Sequence, residues 1–222
     1  MNAEELKSRI DKIIELAFER VQYAYDNNKE TKPNENSEHK TRLVFPSYSH
    51  PEPRISEQEL RFCFVEAFNE YVVKEKLPLY YSVETPTREK YNFSDKNNPK
   101  PDTDGRSGEF DLVVFELENG TIKRRCLIEF KANNASHYEH KKDFVKLNNE
   151  QEWCNRNEKE KDVLLRYFIE LIEEYDDGTI SSLKKKTKEI KKENNFVCYS
   201  LKNKNGEDKR KNGEDISDKI NQ

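Results

Sequence analysis

Residues 108–132 read GEFDLVVFELENGTIKRRCLIEFKA, and the reading of this stretch decides the fold. Glu109 to Leu117 has the apolar, β-branched and aromatic content of a strand, and Ile122 to Phe130 has it again. Between them, Asn119-Gly120 is a pair favoured in tight hairpin turns, because both positions tolerate positive φ. The hairpin carries Asp111 near the start of its first strand, and Glu129 and Lys131 at the end of its second. Side chains alternate along a strand, so Glu129 and Lys131 share a face while Phe130 points into the core. Register is the open question. A strict two-residue turn pairs Asp111 with Ile128 and aims Asp111 away from Glu129. A bulge or a longer loop near residues 117–122 is therefore expected.

Working outward, Leu6, Ile10, Ile13, Ala17, Val21 and Ala24 fall on one face of a helix from about Ala3 to Asp26. That helix packs on the domain or serves as a dimerisation helix. Residues 27–41 read as a polar loop, and Pro46, Pro51 and Pro53 keep the next segment out of helix. Ser56 with Glu59 forms a capping box for a helix to about Val73, with Leu60, Phe64, Ala67, Phe68 and Tyr71 facing the core. A short strand is expected from Leu79 to Glu84, then a long polar loop over residues 85–108. After the hairpin come a polar helix over Ser136–Asn148 and a segment, Val163–Ile172, that suits a buried strand better than a helix. A lysine-rich helix over Thr179–Glu193 and a last strand over Phe196–Leu201 complete the pattern. Residues 202–222 are almost wholly polar and read as a disordered tail. Helical crossovers after Lys131 imply parallel strands added to an antiparallel hairpin. The expected architecture is α/β: a mixed five-stranded sheet with helices on both faces.

Composition bounds the rest. The chain has 222 residues, 33% hydrophobic and 38% charged, with a net charge of −4. No apolar run approaches the roughly 20 residues that a membrane span requires. No apolar signal core follows Met1. Cys63, Cys126, Cys154 and Cys198 are far apart and form no C-x-x-C pair, so neither a disulfide framework nor a zinc knuckle is indicated. A reducing, cytoplasmic setting is expected. The acidic balance asks any nucleic-acid partner to meet a local basic surface.

Two carboxylates and an amine at the open end of a hairpin suggest chemistry. Carboxylates gathered at a solvent-reachable site repel one another, which favours a divalent cation with oxygen ligands, Mg²⁺ or Mn²⁺. The E-x-K pattern alone carries little, because it starts at seven positions in this chain. The copy at Glu129 is distinguished by ending an apolar strand whose hairpin partner carries an aspartate.

Gly108-Glu109-Phe110-Asp111-Leu112, followed after sixteen residues by Glu129-Phe130-Lys131-Ala132, resembles the core of the PD-(D/E)xK nuclease superfamily. The resemblance covers about residues 55–201 and divides the chain into an N-terminal helix and linker (1–54), a nuclease-like domain (55–201) and a tail (202–222). It implies a restriction-endonuclease-like αβββαβ core in three layers. It also implies a metal-dependent phosphodiester hydrolase acting on nucleic acid, DNA in preference to RNA. Asp111 and Glu129 would be the metal carboxylates, the Phe130 carbonyl a further ligand, and Lys131 the catalytic lysine. The family often adds a glutamate from the first core helix. Glu57 is the candidate here, lying about 60° from Leu60 on a helical wheel, whereas Glu66 lies on roughly the opposite face and Glu59 is a cap residue. Phe110 replaces the proline of the family name, and the literal Pro101-Asp102 lies in the expected loop. Cutting both strands of a duplex would favour a homodimer.

Lys142 and Lys146, on the helix after the catalytic strand, are candidate phosphate contacts, with a solvated face as the plainer reading. His137 and His140 read as surface histidines. The lysine run from Lys184 to Lys192 could contact a phosphate backbone, or could only keep the protein soluble.

Overall fold

The structure, a computed structural model, describes residues 1–29, 40–49, 52–95, 98–133, 135–154, 162–203 and 213–221. In chain order the elements are α1 (Ala3–Asn27), β1 (Ser47–Ser49), β2 (Glu52–Pro53), α2 (Glu57–Glu75), β3 (Leu79–Asn92), β4 (Lys100–Pro101), β5 (Arg106–Glu118) and β6 (Thr121–Ala132). They continue with α3 (His137–Leu147), β7 (Leu165–Tyr175), α4 (Asp177–Thr187), β8 (Asn195–Asn203), β9 (Glu214–Asp215) and α5 (Ser217–Asn221). Seven strands form one mixed sheet in the order β4-β3-β5-β6-β7-β8-β9. Pairing is antiparallel from β4 through β6, parallel from β6 to β8, and antiparallel again at β9.

The helices cap the local hydrogen bonds as their sequences dictate. Ser56 with Glu59, and Ser136 with Glu139, close capping boxes at the starts of α2 and α3. Along β6, Cys126 and Ile128 enter a core shared with α1 and α2, while Leu127 enters a second core shared with α3, α4 and α5. The sheet is thus the middle of three layers. The apolar face of α1 is spent on that first core, packed against α2 and the sheet.

Four expectations are corrected. The sheet has seven strands, because β4 and β9 add short edges to the five expected. Residues 85–92 are not loop but the continuation of β3, which pairs with β5 as far as Tyr91↔Arg106. The carboxylate of Glu152 holds this extension, accepting from the Arg88 and Glu89 amides at 2.8 and 3.0 Å and from the Tyr91 hydroxyl at 2.8 Å. Gly105 permits it, since a Cβ there would lie 2.3 Å from the Tyr91 carbonyl oxygen. The fourth helix stops at Thr187 rather than Glu193. In the expected tail, Lys202 and Asn203 belong to β8, and residues 213–221 form β9 and α5, with Ile216 and Ile220 buried in the second core. Residues 204–212 and 222 lie outside the described residues.

The hairpin register is decided by one residue. Asn119 and Gly120 form the two-residue turn with φ of 49° and 77°, and the ladder runs strictly from Glu118↔Thr121 to Phe115↔Arg124. The next pair is Val114↔Cys126, so Arg125 is an extra residue. The expected bulge exists, but beyond the 117–122 window. Its side chain is anchored in the first core: Arg125 meets Glu116 at 3.0 Å and donates to the Met1 carbonyl at 2.6 Å.

Two outcomes are expected from this packing. Replacing Glu116 by Ala leaves buried Arg125 without its carboxylate and should cost about 3–5 kcal/mol in urea unfolding. Burial pushes the Cys63 thiol up to about 12 and the Cys126 and Cys198 thiols well above their usual value. Thiolate, the reactive form, is scarce below the raised value, so these buried thiols stay protonated and poorly reactive at pH 8. Iodoacetamide should therefore label only the partly exposed Cys154 in the native protein, and all four cysteines in denaturant.

Candidate active site

The shifted register has a direct consequence at the open end of the hairpin. With Leu112 opposite Ile128, Asp111 comes level with the Glu129–Phe130 peptide, and its Oδ2 accepts the Phe130 amide at 2.7 Å. Strict alternation also breaks here. Phe110 and Val113 lie in the second core, and Leu112 and Val114 in the first, so the strand turns at Asp111. Glu84 on the neighbouring strand carries a φ of 47°. The Phe130 carbonyl accepts from the Lys131 ammonium at 3.0 Å, so both main-chain groups of Phe130 are held, its amide by Asp111 and its carbonyl by Lys131.

Asp111, Glu129 and Lys131 line a cleft of about 390 Å³ together with Glu57, Glu84, Arg106, Glu109, Lys142, Asp143 and Lys146. Lys131 is its centre. The ammonium lies 2.7 Å from Asp143 Oδ2 and 3.4 Å from Glu57 Oε2, the latter across 74 residues of sequence. Lys146 lies 3.0 Å from Asp143 Oδ1, 2.5 Å from Glu129 Oε1, and donates to the Glu109 carbonyl at 2.6 Å. Arg61 reaches Asp111 at 4.0 Å and also pairs with Glu84. Lys142 stands over the Phe93 ring at 5.3 Å, at the rim.

Charge states follow from these neighbours. Burial pushes the Glu129 carboxyl well up, Asp143 and Asp111 add to that, and the lysines only partly oppose it. Burial alone would lower Lys131, but Asp143, Asp111, Glu129 and Glu57 outweigh it and hold the ammonium firmly protonated. Lys146 is held protonated in the same way, chiefly by Glu129 and Asp143 against its burial. Burial works to raise Asp143, and Lys146 and Lys131 override it, so Asp143 stays ionised. Glu57 is raised, first by burial and then, against the pull of Lys131, by Asp111.

The structure therefore brings Asp111, Glu129, Lys131, Glu57, Lys142 and Lys146 to one cleft, while Phe130 does not line it and is joined to it through its main-chain bonds with Asp111 and Lys131. Lys146 is not on a solvated face, since its side chain is 4% exposed. Nor is His140 a surface histidine: it is fully buried, with ring nitrogens 3.0 Å from the Ser136 carbonyl and 3.2 Å from Glu170. His137 is half-exposed beside Glu189. Asp102 serves the turn after β4, accepting from Asn92 and from the Asp104 amide, and does not line the cleft. Lys184 and Lys185 are exposed on α4, while Lys186 donates to the Ala135 carbonyl. Asp143 was not singled out in the sequence. Its signal was helical spacing: His140, Asp143, Phe144 and Leu147 are all buried on one face of α3.

The Asp111 and Glu129 carboxylates, the Glu57 carboxylate and the Phe130 carbonyl are hard oxygen donors of the type Mg²⁺ or Mn²⁺ prefers. Glu129 Oε1 is paired with the Lys146 ammonium at 2.5 Å, so a cation binding this carboxylate would have to compete with that lysine. Among the described residues, no three His, Cys, Asp or Glu side chains are already drawn together as a metal cluster. No family model, curated protein or solved structure matches the chain. Among the described residues no helix is long and apolar enough to cross a membrane.

Removing Lys146 strips two buried carboxylates of their shared cation. Lys146→Met should cost about 3–5 kcal/mol in urea unfolding, whereas Glu57→Gln, at a 40% exposed side chain, should change stability by no more than about 1 kcal/mol.

Proposed function

We propose that the protein is a metal-dependent nuclease with a restriction-endonuclease-like core, hydrolysing phosphodiester bonds in DNA rather than RNA. The observation that carries this reading is the meeting of Asp111, Glu129, Lys131 and Glu57 in one cleft, from three elements, beside Phe130, whose amide donates to Asp111 and whose carbonyl accepts from Lys131. Asp111, Glu129 and the Phe130 carbonyl would hold Mg²⁺ or Mn²⁺, which supplies Lewis-acid polarisation of a phosphate oxygen when bound.

The chain's own residues take the other roles. Lys131 is too firmly protonated to abstract a proton, so it orients the attacking water and offsets charge on the pentavalent phosphate. Glu57, half-exposed and raised, is the better proton acceptor from that water. Asp143 fixes the Lys131 amine and keeps it charged. Water adds to phosphorus, the ester oxygen leaves with a proton from solvent, and a 5′-phosphate end is the product that the nuclease resemblance implies. Arg106 and Lys142 at the rim supply positive charge for flanking phosphates, which an acidic chain must concentrate locally.

A second reading is a nuclease-fold protein that binds nucleic acid or a protein partner without cutting, or cuts only when a ligand or partner rearranges the site. It is favoured by the pairing of Lys146 with Glu129, which occupies a carboxylate the metal needs.

Incubated with Mn²⁺ or Mg²⁺, the full chain should cut DNA, and Lys131→Ala or Asp111→Asn should each lower the rate by roughly 10²–10⁴-fold. Single- and double-stranded RNA arms check the polymer. Cutting that survives both variants would sink the assignment of this cleft. No cutting, together with no Mn²⁺ binding by calorimetry, would select the second reading.

A further inference from the structure

A second groove, of about 500 Å³, lies two strands from the cleft, between α1, the outer edge of β8 and α5. Its floor is apolar, made by Ile14 and Phe18 of α1 and by Phe196, Val197 and Tyr199 of β8. Phe18 and Tyr199 are stacked at 4.5 Å, and Val197 and Tyr199 are half-buried, so part of the floor is open to solvent. The rim is acidic. Asp11, Glu15 and Glu19 line it from α1, and Asp215 and Asp218 from β9 and α5. Lys7, the one lysine lining the groove among the described residues, is held by Asp11 at 2.6 Å. Glu15 and Glu19 meet Lys12 and Lys40 only in exposed pairs, which water and salt weaken. Exposed Asp218 has no ion pair among the described residues. The surplus of carboxylates is felt at Tyr199, whose hydroxyl is pushed up to about 12 by burial first, then by Asp26, Asp215 and Glu19.

The edge of β8 is open along the same groove. Cys198 turns its main chain outward: its carbonyl accepts the Ile216 amide at 2.8 Å, and its amide donates to the Ser217 hydroxyl at 2.9 Å. Alternation along the strand directs the Phe196 amide and carbonyl to the same side. β9 pairs only with Tyr199 and Ser200, and the chain then turns into α5, so among the described residues no strand reaches Phe196 on this side. We propose that the groove docks a short extended segment of a basic protein. An apolar side chain of that segment rests on the floor, lysine or arginine on either side of it meets the rim, and its main chain runs beside Phe196 where β9 would continue. Each feature selects against another occupant. The carboxylates repel nucleic acid and acidic peptides. The open edge asks for an extended backbone, since a helix spends its amides internally. The apolar floor rewards a side chain that a simple polyamine lacks. This proposal does not depend on the nuclease reading.

The test titrates the full chain into a fluorescein-labelled peptide of sequence KLRVK and follows its anisotropy. Saturable binding in the micromolar range is expected. A peptide with both apolar residues replaced by serine, KSRSK, keeps the charge and should bind more weakly by about tenfold. Asp218→Lys should weaken KLRVK by roughly fivefold with a native far-ultraviolet spectrum, whereas Glu118→Lys, the same charge change at the exposed hairpin tip, should leave it unaltered. Absence of saturable binding, equal affinity for the two peptides, or equal losses in the two variants would each overturn the proposal. A dimer in sedimentation that Asp218→Lys dissociates would also overturn it, by assigning the groove to a second copy of the chain.

Discussion

One unpaired residue, Arg125, sets the register on which the cleft depends. Without it, the turn at Asn119-Gly120 would carry strict pairing to the end of the hairpin, and Asp111 would stand opposite Ile128. With it, Asp111 reaches the Phe130 amide. A bulge leaves main-chain groups unpaired, and here they are used. The Arg125 carbonyl accepts the Leu164 amide at 3.0 Å, immediately before β7 begins its parallel pairing with β6. The guanidinium is held by Glu116 and by the start of the chain. The same residue therefore sets the hairpin register, positions the next strand and ties down the entry to α1, so the site inherits its geometry from the core rather than from its own loops.

Inside the cleft the governing constraint is charge compensation at low exposure. Two lysines and three carboxylates (Lys131, Lys146, Asp111, Glu129 and Asp143) sit where isolated charges would be expelled. Each lysine is shared between carboxylates, and Asp143 bridges the two lysines. Such a network holds the amines protonated, while burial and the neighbouring Asp143 push one carboxyl, Glu129, upward. A site arranged this way is poised for added positive charge. A divalent cation among these oxygens would relieve the repulsion that raises Glu129, and would compete with Lys146 for it. Lys146 thus supplies the positive charge that Glu129 and Asp143 share in this arrangement.

The hairpin and the lysine at its strand end were legible in the sequence through turn chemistry and period-two alternation, whereas Glu57 came from the nuclease resemblance, with the helical wheel choosing it over Glu59 and Glu66. What was missed follows from long-range pairing. Residues 85–92 look like loop because Pro86, Arg88, Glu89 and Lys90 are poor strand formers. They become strand because Glu152, more than sixty residues on, collects their amides. β9 and α5 were hidden in polar sequence because only Ile216 and Ile220 face the core.

Asp143 and His140 were missed for a different reason. Periodicity was read on apolar residues, and these two polar side chains occupy core positions of α3 by finding partners, Lys131 and Lys146 for one and Glu170 for the other. A buried helix face that alternates His140, Asp143, Phe144 and Leu147 is costly unless those partners are already in place on β6 and β7. Glu170 lies directly opposite Lys131 in the β6–β7 ladder. The polar positions of α3 are therefore matched to the end of β6 and its neighbour β7. The helix can seat itself correctly only when the register fixed at Arg125 has delivered Glu129 and Lys131 to this height in the sheet.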